Sequence, residues 1–197
     1  MKKLLTVTLA LAVAISIVGA QDKGKGGGKG GGKGKGAPNL PPTIHLTVAG
    51  LTDGGRYPMA NAAQGPSPAI SWSVVPMGTQ SFTILLHDPD PVVNKSATND
   101  VTHWMIYNIP GTATSLAGGI AAGDLPDGTK QAANITGQPA YFGPAPPAGH
   151  GIHHYTFEIW ALDTKLDVSP ANRDSVMKAM DGHVLAKGMV IGLYSNE

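Results

Sequence analysis

Past Pro42 the chain is written in short blocks of β-forming residues. Ile44–Val48 alternates apolar with polar positions, Ile70–Val75 carries Trp72, and Phe82–His87 and Trp104–Ile109 are rich in apolar and aromatic residues. Tyr155–Leu162 alternates again around Phe157, Ile159 and Trp160, and Val190–Tyr194 closes the set. A two-residue period places successive side chains on opposite faces of a strand, so each block predicts a strand packed on a core. Gly, Pro, Asn and Asp clusters separate the blocks, and the connections are too varied for a repeating strand–helix–strand unit. The pattern predicts a mainly β protein, an antiparallel sandwich. One helix stands out near the C-terminus. Ser169 is its expected N-cap, Pro170 its first residue, where the missing N–H costs nothing, and Val176, Met177 and Met180 its apolar stripe, with Gly182 ending it.

The first 42 residues read differently and divide the chain into three parts: 1–20, 21–42 and 43–197. Met1–Ala20 has two lysines, an apolar stretch and a Val18-Gly19-Ala20 ending, the parts of a secretory signal peptide. Export to the periplasm or the outside of the cell is the expectation. Leu4–Ala20 is also near the lower limit of about 17 residues for crossing a bilayer, so a retained anchor is the competing reading. Asp22–Gly36 alternates glycine with lysine, a composition that predicts an unpacked linker. Its Lys23, Lys25, Lys29, Lys33 and Lys35 could touch an anionic surface, each adding about 1 kcal/mol near charged lipid. The G-x-G-x-x-G match at Gly26–Gly31 has no strand before it and no helix after it, which makes it an accident of composition.

Removing this segment changes the charge picture. The whole chain carries a formal +1, whereas from Ala37 onward there are seven Lys/Arg against twelve Asp/Glu, a formal −5. An acidic domain excludes a broad, specific nucleic-acid surface. The chain has no cysteine, so it is neither a lipoprotein nor disulfide-stapled, and its core has to hold it together.

The candidate chemistry lies in two segments, LLHDPDPVVNKSATNDVTHWMIYNIP (Leu85–Pro110) and YFGPAPPAGHGIHHYTFEIWALD (Tyr141–Asp163). In the first, Pro89 and Pro91 fix the backbone around Asp88 and Asp90 and remove amide donors, so the loop is built to present carboxylate oxygens. The bland alternative is an Asx turn in which both aspartates bond local amides. His103 heads an apolar strand, with Trp104 beside it to fill the core. His153 and Tyr155, two apart, share one face of an extended strand, and His154 faces the other way. Imidazole, phenol and loop amides can hold phosphate or carboxylate oxygens, and an aspartate can orient a histidine or accept from an ammonium group. Two histidines and a carboxylate, with His150 and His154 nearby, could also bind a metal, and a His–Asp pair could serve a hydrolase. No G-x-S-x-G elbow or zinc motif supports either. His183 reads as structural, and Asn94-Lys95-Ser96 and Asn134-Ile135-Thr136 are glycosylation sequons.

Those segments, with SPAISWSVVPMGTQSF (Ser67–Phe82) before them and AMDGHVLAKGMVIGLY (Ala179–Tyr194) after, resemble in order and spacing the phosphatidylethanolamine-binding protein family, which includes Raf kinase inhibitor protein. The resemblance is closest to the bacterial branch. It implies a two-sheet antiparallel β-sandwich of Greek-key character with one or two short helices. It also implies a pocket formed by Asp88, Asp90, His103, His153 and Tyr155, with Gly143 and Pro144 shaping its wall. Such a pocket binds small anionic or phosphorylated ligands, phosphoethanolamine head groups among them, without catalysis, cofactor or metal. The alternative is a regulator of a protein partner, of protease or kinase type, that acts through the pocket rim. This chain departs from the family at two points: the usual Asp-Pro-Asp-Ala-Pro lacks its alanine, and His154 stands where arginine is common.

Overall fold

The computed structural model describes residues 40–91, 95 and 100–197. The leader, the Gly/Lys tract and most of the Asn94 sequon lie outside them. Nine strands and one α-helix follow in the order β1 (His45–Val48), β2 (Gly55–Arg56), β3 (Ile70–Ser73), β4 (Ser81–Asp88), β5 (Val101–Pro110), β6 (Ser115–Leu116), β7 (Lys130–Ala132), β8 (His153–Leu162), α1 (Arg173–Met180) and β9 (Val184–Tyr194). All six expected strands are present. The three that the pattern missed, β2, β6 and β7, have two or three residues each, too short to show a period. β3 ends at Ser73, two residues early, because Val74 takes φ 62°, a left-handed conformation that a β-branched residue reaches only under strain.

The strands form a small sheet, β1-β3-β6, and a large one, β2-β9-β8-β4-β5-β7. Within the large sheet β8-β4-β5-β7 has the 4-1-2-3 order of a Greek key. Every ladder is antiparallel except the two-residue pairing of β2 with β9.

The principal core fills the space between the sheets. The large sheet contributes Phe82, Ile84 and Leu86 from β4, Trp104, Ile106 and Ile109 from β5, and Tyr155, Phe157, Ile159 and Ala161 from β8. The small sheet adds Val48, Ile70, Trp72 and Leu116. The other face of β4, β5 and β8 is covered in part by α1, where Val176 and Met180 pack against Leu85, Met105, Tyr107, Trp160 and Leu162. These central strands are therefore buried on both faces, which is why they read as near-continuous apolar runs. The helix begins three residues later than the sequence suggests. Asn172, not Ser169, is the N-cap, its side chain accepting from the Ser175 amide while the Ser175 hydroxyl accepts from the Asn172 amide. It ends as expected, with Gly182 at φ 84° just beyond it.

One loop contact positions the site. The Gly143 amide donates to the Ala63 carbonyl (2.8 Å) and the Ala63 amide to the Pro144 carbonyl (2.9 Å), so the 141–147 loop lies flat against the turn at Met59–Asn61. A Cβ on Gly143 would collide with the Asn61 carbonyl and the backbone of Ala62 and Ala63. The glycine is there for close backbone approach.

Two stability predictions follow from this packing. Phe157→Ala empties a fully buried site between the sheets and should destabilise the protein by about 3–5 kcal/mol, measured by urea unfolding. Gly143→Ala should cost about 1–3 kcal/mol through overpacking and displace the His103 ring resonances in NMR spectra, whereas Gly149→Ala, where a Cβ meets nothing within 4 Å but the backbone takes φ 78°, should cost about 1–2 kcal/mol through backbone strain and leave those resonances in place.

Candidate functional site

Because β4 and β8 are antiparallel neighbours, the last residue of one and the first of the other meet at the same end of the large sheet. Asp88 and His153 are those residues. An Asp88 carboxylate oxygen accepts from His153 Nδ1 at 2.7 Å, and the other accepts from the Asp90 amide at 3.0 Å. The Asx turn and the contact with His153 thus share one carboxylate. Both groups are buried, Asp88 being 2% and His153 4% exposed. A buried carboxylate persists only with such partners. Since Nδ1 of His153 donates to Asp88, the ring's other nitrogen, Nε2, is left for a ligand and has no partner among the described residues.

His103 enters from β5 through a bulge. Leu86 faces Trp104 and His87 faces Thr102, so β5 carries one extra residue there, His103. The bulge aims the imidazole toward Tyr155, with ring centroids 5.1 Å apart and planes at 82°, while Trp104 still reaches the core. His103 Nδ1 donates to the carbonyls of Phe142 (2.9 Å) and Gly143 (3.2 Å), and the Phe142 ring stacks on it at 5.8 Å. Its Nε2 also lacks a partner among the described residues. Burial holds the pKa of His103 below the ordinary 6.5, outweighing the two carbonyls and the Asp88 charge that favour the cation.

Tyr155 lies between the two histidines, its ring 6.3 Å from that of His153 and 1% exposed. Burial, and then the adjacent Asp88 carboxylate, push its phenol well above the usual range, so it keeps its proton and can donate. Behind it the Tyr57 hydroxyl meets that of Tyr141 at 2.8 Å, and Tyr57 packs edge-on against the Tyr155 ring.

The structure brings Asp88, His103, His153 and Tyr155 together at one sheet end and shows further contacts of Asp90, Gly143 and Pro144. Asp90 is exposed beside them, and one of its carboxylate oxygens accepts from the His154 amide at 2.6 Å and lies 3.1 Å from His154 Nδ1. Burial would raise its pKa, but these bonds to His154 outweigh that and lower it. A carboxylate oxygen of Asp90 nevertheless lies within 4.8 Å of ligating atoms of Asp88 and His153, but His153 Nδ1 is already bonded to Asp88 and its Nε2 points away from that carboxylate, so these two do not ligate one cation. Gly143 and Pro144 act through their backbone, Gly143 by its carbonyl on His103 and Pro144 by accepting from Ala63.

Other residues were not foreseen. Phe142 supports His103 through a carbonyl and a stacked ring, and only the fold could show either. On the opposite face of β4, His87 Nδ1 lies 2.7 Å from Asp100, which Arg173 of α1 also contacts at 2.7 Å. In the Asn134 sequon Ile135 and Thr136 are exposed but the acceptor Asn134 is buried, and its side chain bonds the Thr136 and Gln138 amides and the Ala140 carbonyl. His183 pairs with Asp163 at the surface (2.8 Å) beyond the helix.

Comparison with known proteins places this arrangement. The family model described as Phosphatidylethanolamine-binding protein matches residues 47–195. A UPF0098 protein of Methanothermobacter thermautotrophicus is 40% identical over 155 residues, covering 77% of this chain and 98% of the relative. The crystal structure of Escherichia coli YbcL, described as a member of the mammalian PEBP family, superposes with a TM-score of 0.69 at 28% identity, covering 79% of this chain and all of that one. A phosphatidylethanolamine-binding protein homologue of Chlamydia trachomatis gives a TM-score of 0.69 at 29% identity, covering 79% of this chain and 99% of its own. With the fold, the spacing and the family match in agreement, the chain belongs to the phosphatidylethanolamine-binding protein family, in its bacterial YbcL-type branch.

Proposed function

We propose that this protein is an exported binding module that holds a small phosphorylated or carboxylate ligand, such as a phosphoethanolamine head group, at the Asp88–His103–His153–Tyr155 site, without catalysis. The observation that carries the reading is the convergence, on one buried sheet end, of two imidazoles whose Nδ1 atoms are already committed and a phenol that keeps its proton. Both Nε2 atoms and the hydroxyl are then the groups to meet a ligand's oxygens, and Asp88 supplies acceptor character for an ammonium. The His153–Asp88 pair has the base-and-orienter form of a hydrolase, but among the described residues no serine or threonine hydroxyl bonds His153. Export rests on the Met1–Ala20 pattern. A second reading, regulation of an exported protein partner, is favoured by one feature of the rim: Ile152, 60% exposed, borders a groove with Arg56, Leu193 and Tyr194 next to His153.

Titration of the full chain with inorganic phosphate and with phosphoethanolamine, followed by NMR of the His103 and His153 ring protons, should give saturable shifts with Kd of about 1 mM, roughly 4 kcal/mol. Tyr155→Phe, which removes one hydroxyl from a buried ring, should weaken binding about threefold to tenfold, and His153→Ala should abolish it. Unshifted ring protons at saturating ligand would reject the reading.

The His103 titration has a definite sign. Its folded-state pKa lies below the unfolded value, so the unfolded chain binds the extra proton first and stability falls as pH drops below about 6.5. A bound anion favours the imidazolium. Phosphate should therefore move the His103 midpoint upward in an NMR pH titration.

A further inference from the structure

The end of the sandwich opposite the Asp88–His153 site carries apolar side chains that the core leaves outside. Ser81 of β4 and Val184 of β9 both pair with Leu162 of β8, so the turn leading into β4 and the start of β9 lie together at this far end. That turn is Val74-Val75-Pro76-Met77-Gly78, and its Met77 is 98% exposed, with Val74, Val75 and Val184 exposed as well. The chain enters at the same end. The Ile44 amide donates to the carbonyl of Lys187, three residues into β9 (3.0 Å), and His45 pairs with Ser73, the residue before the turn. Leu40, a few positions earlier, is exposed too. Three segments distant in sequence thus bring bare aliphatic side chains to one pole.

The turn is held in place. The Thr79 hydroxyl donates to the Pro76 carbonyl (2.8 Å), the Gln80 amide to the Leu162 carbonyl (2.8 Å) and the Gly111 amide to the Gln80 carbonyl (3.0 Å). These bonds keep Val74 at φ 62° and Met77 in water. A single exposed apolar residue is ordinary, whereas a fixed group of them marks a contact surface. Charge indicates what the surface contacts. From Ala37 onward the formal charge is −5, which an anionic surface would repel, yet Lys23, Lys25, Lys29, Lys33 and Lys35 stand with no acidic residue among them, the last five positions before Leu40. Lys165 and Lys187 are exposed near the same end. A polar polyanion would match the lysines and leave Met77 in water. Anionic lipid satisfies both, through its head groups and its acyl region.

From this we infer that the pole formed by Leu40, the Val74–Gly78 turn and Val184 is a docking surface for an anionic bilayer, with Met77 and its neighbours entering the head-group layer and the five lysines of the Gly/Lys tract meeting lipid phosphates. Each part supplies what the other lacks, since stable attachment to a membrane surface takes two such signals. The eight residues of β4 separate the two ends of the sheet by about 23 Å. The Asp88–His153 end therefore faces away from the bilayer and meets solutes rather than the lipids beneath, a consequence that rests on the anion-binding reading, whereas the docking itself does not.

The chain has no cysteine, so one polarity-sensitive fluorophore can be placed by Met77→Cys or, at the opposite end, by Ile152→Cys. Full-chain protein carrying either label is mixed with vesicles of phosphatidylcholine alone or of phosphatidylcholine with phosphatidylglycerol. Emission from position 77 should shift to the blue on the mixed vesicles and return in about 0.5 M NaCl, which screens the lysines, while position 152 keeps its emission in water. In unlabelled protein, changing Lys23, Lys25, Lys29, Lys33 and Lys35 together to Gln should weaken binding to the mixed vesicles at least about hundredfold, and Met77→Asp about tenfold or more. A shift at 77 that is equal on both vesicles or persists in salt, as the apolar Met1–Ala20 segment alone would produce, overturns the inference. So does a shift at 152 in place of 77, binding that neither variant weakens, or no shift on any vesicle, which leaves the pole to a protein partner. None of these readouts uses phosphate, so failure here leaves the anion-binding reading standing, and the phosphate titration tests that reading by itself.

Discussion

A carboxylate buried at the end of the sandwich core is the constraint around which this structure is arranged. Asp88 is 2% exposed and sits where the apolar space between the sheets would otherwise end. Leaving such a charge without partners costs several kcal/mol. Its two acceptor oxygens are met by the His153 imidazole and the Asp90 amide, and each partner demands something of the chain. The histidine has to be the first residue of β8 and the amide has to belong to a tight Asp-Pro-Asp turn, so strand register and loop conformation are tied to one side chain.

The other imidazole obeys a parallel rule by different means. His103 reaches the same space through a bulge, and its Nδ1 proton goes to backbone carbonyls of a loop. That loop is held in turn by the close approach of Gly143 to residues 61–63. Two histidines are thus fixed in orientation by protein acceptors, each with one nitrogen in reserve. Such supported rings are pre-organised, so little rotamer entropy is lost when a ligand arrives.

Strand β4 serves two polar clusters at once, because consecutive residues face opposite ways. Asp88 points into the candidate site, while His87 turns to Asp100, Arg173 and the nearby Glu158. In Asp100, burial alone would raise the pKa, but the His87 and Arg173 contacts outweigh it and hold the carboxyl below its usual range. This second cluster fastens α1 to the sheet. The site's rigidity therefore draws on both faces of the strand that carries it.

Much of this was legible before any coordinates. Alternation and apolar runs placed the six long strands, the order of four motifs identified the family, and a two-residue spacing put His153 and Tyr155 on one face, since strand periodicity is a local property. Other features are properties of neighbours distant in sequence. The sequence read Asp90 as a pocket residue, and only the fold shows that its carboxylate also bonds His154 across 64 positions. Gly143 looked like a wall residue, and the fold uses it for contact with a turn some 80 residues away. Ser169-Pro170 had the composition of a helix start, yet the reciprocal bonds of Asn172 and Ser175 set the start later. Local pattern determined where strands run and which faces carry polar rings. Tertiary contact alone decided which of those polar groups share a space, because the charges and hydrogen bonds that settle it come from segments the sequence keeps far apart.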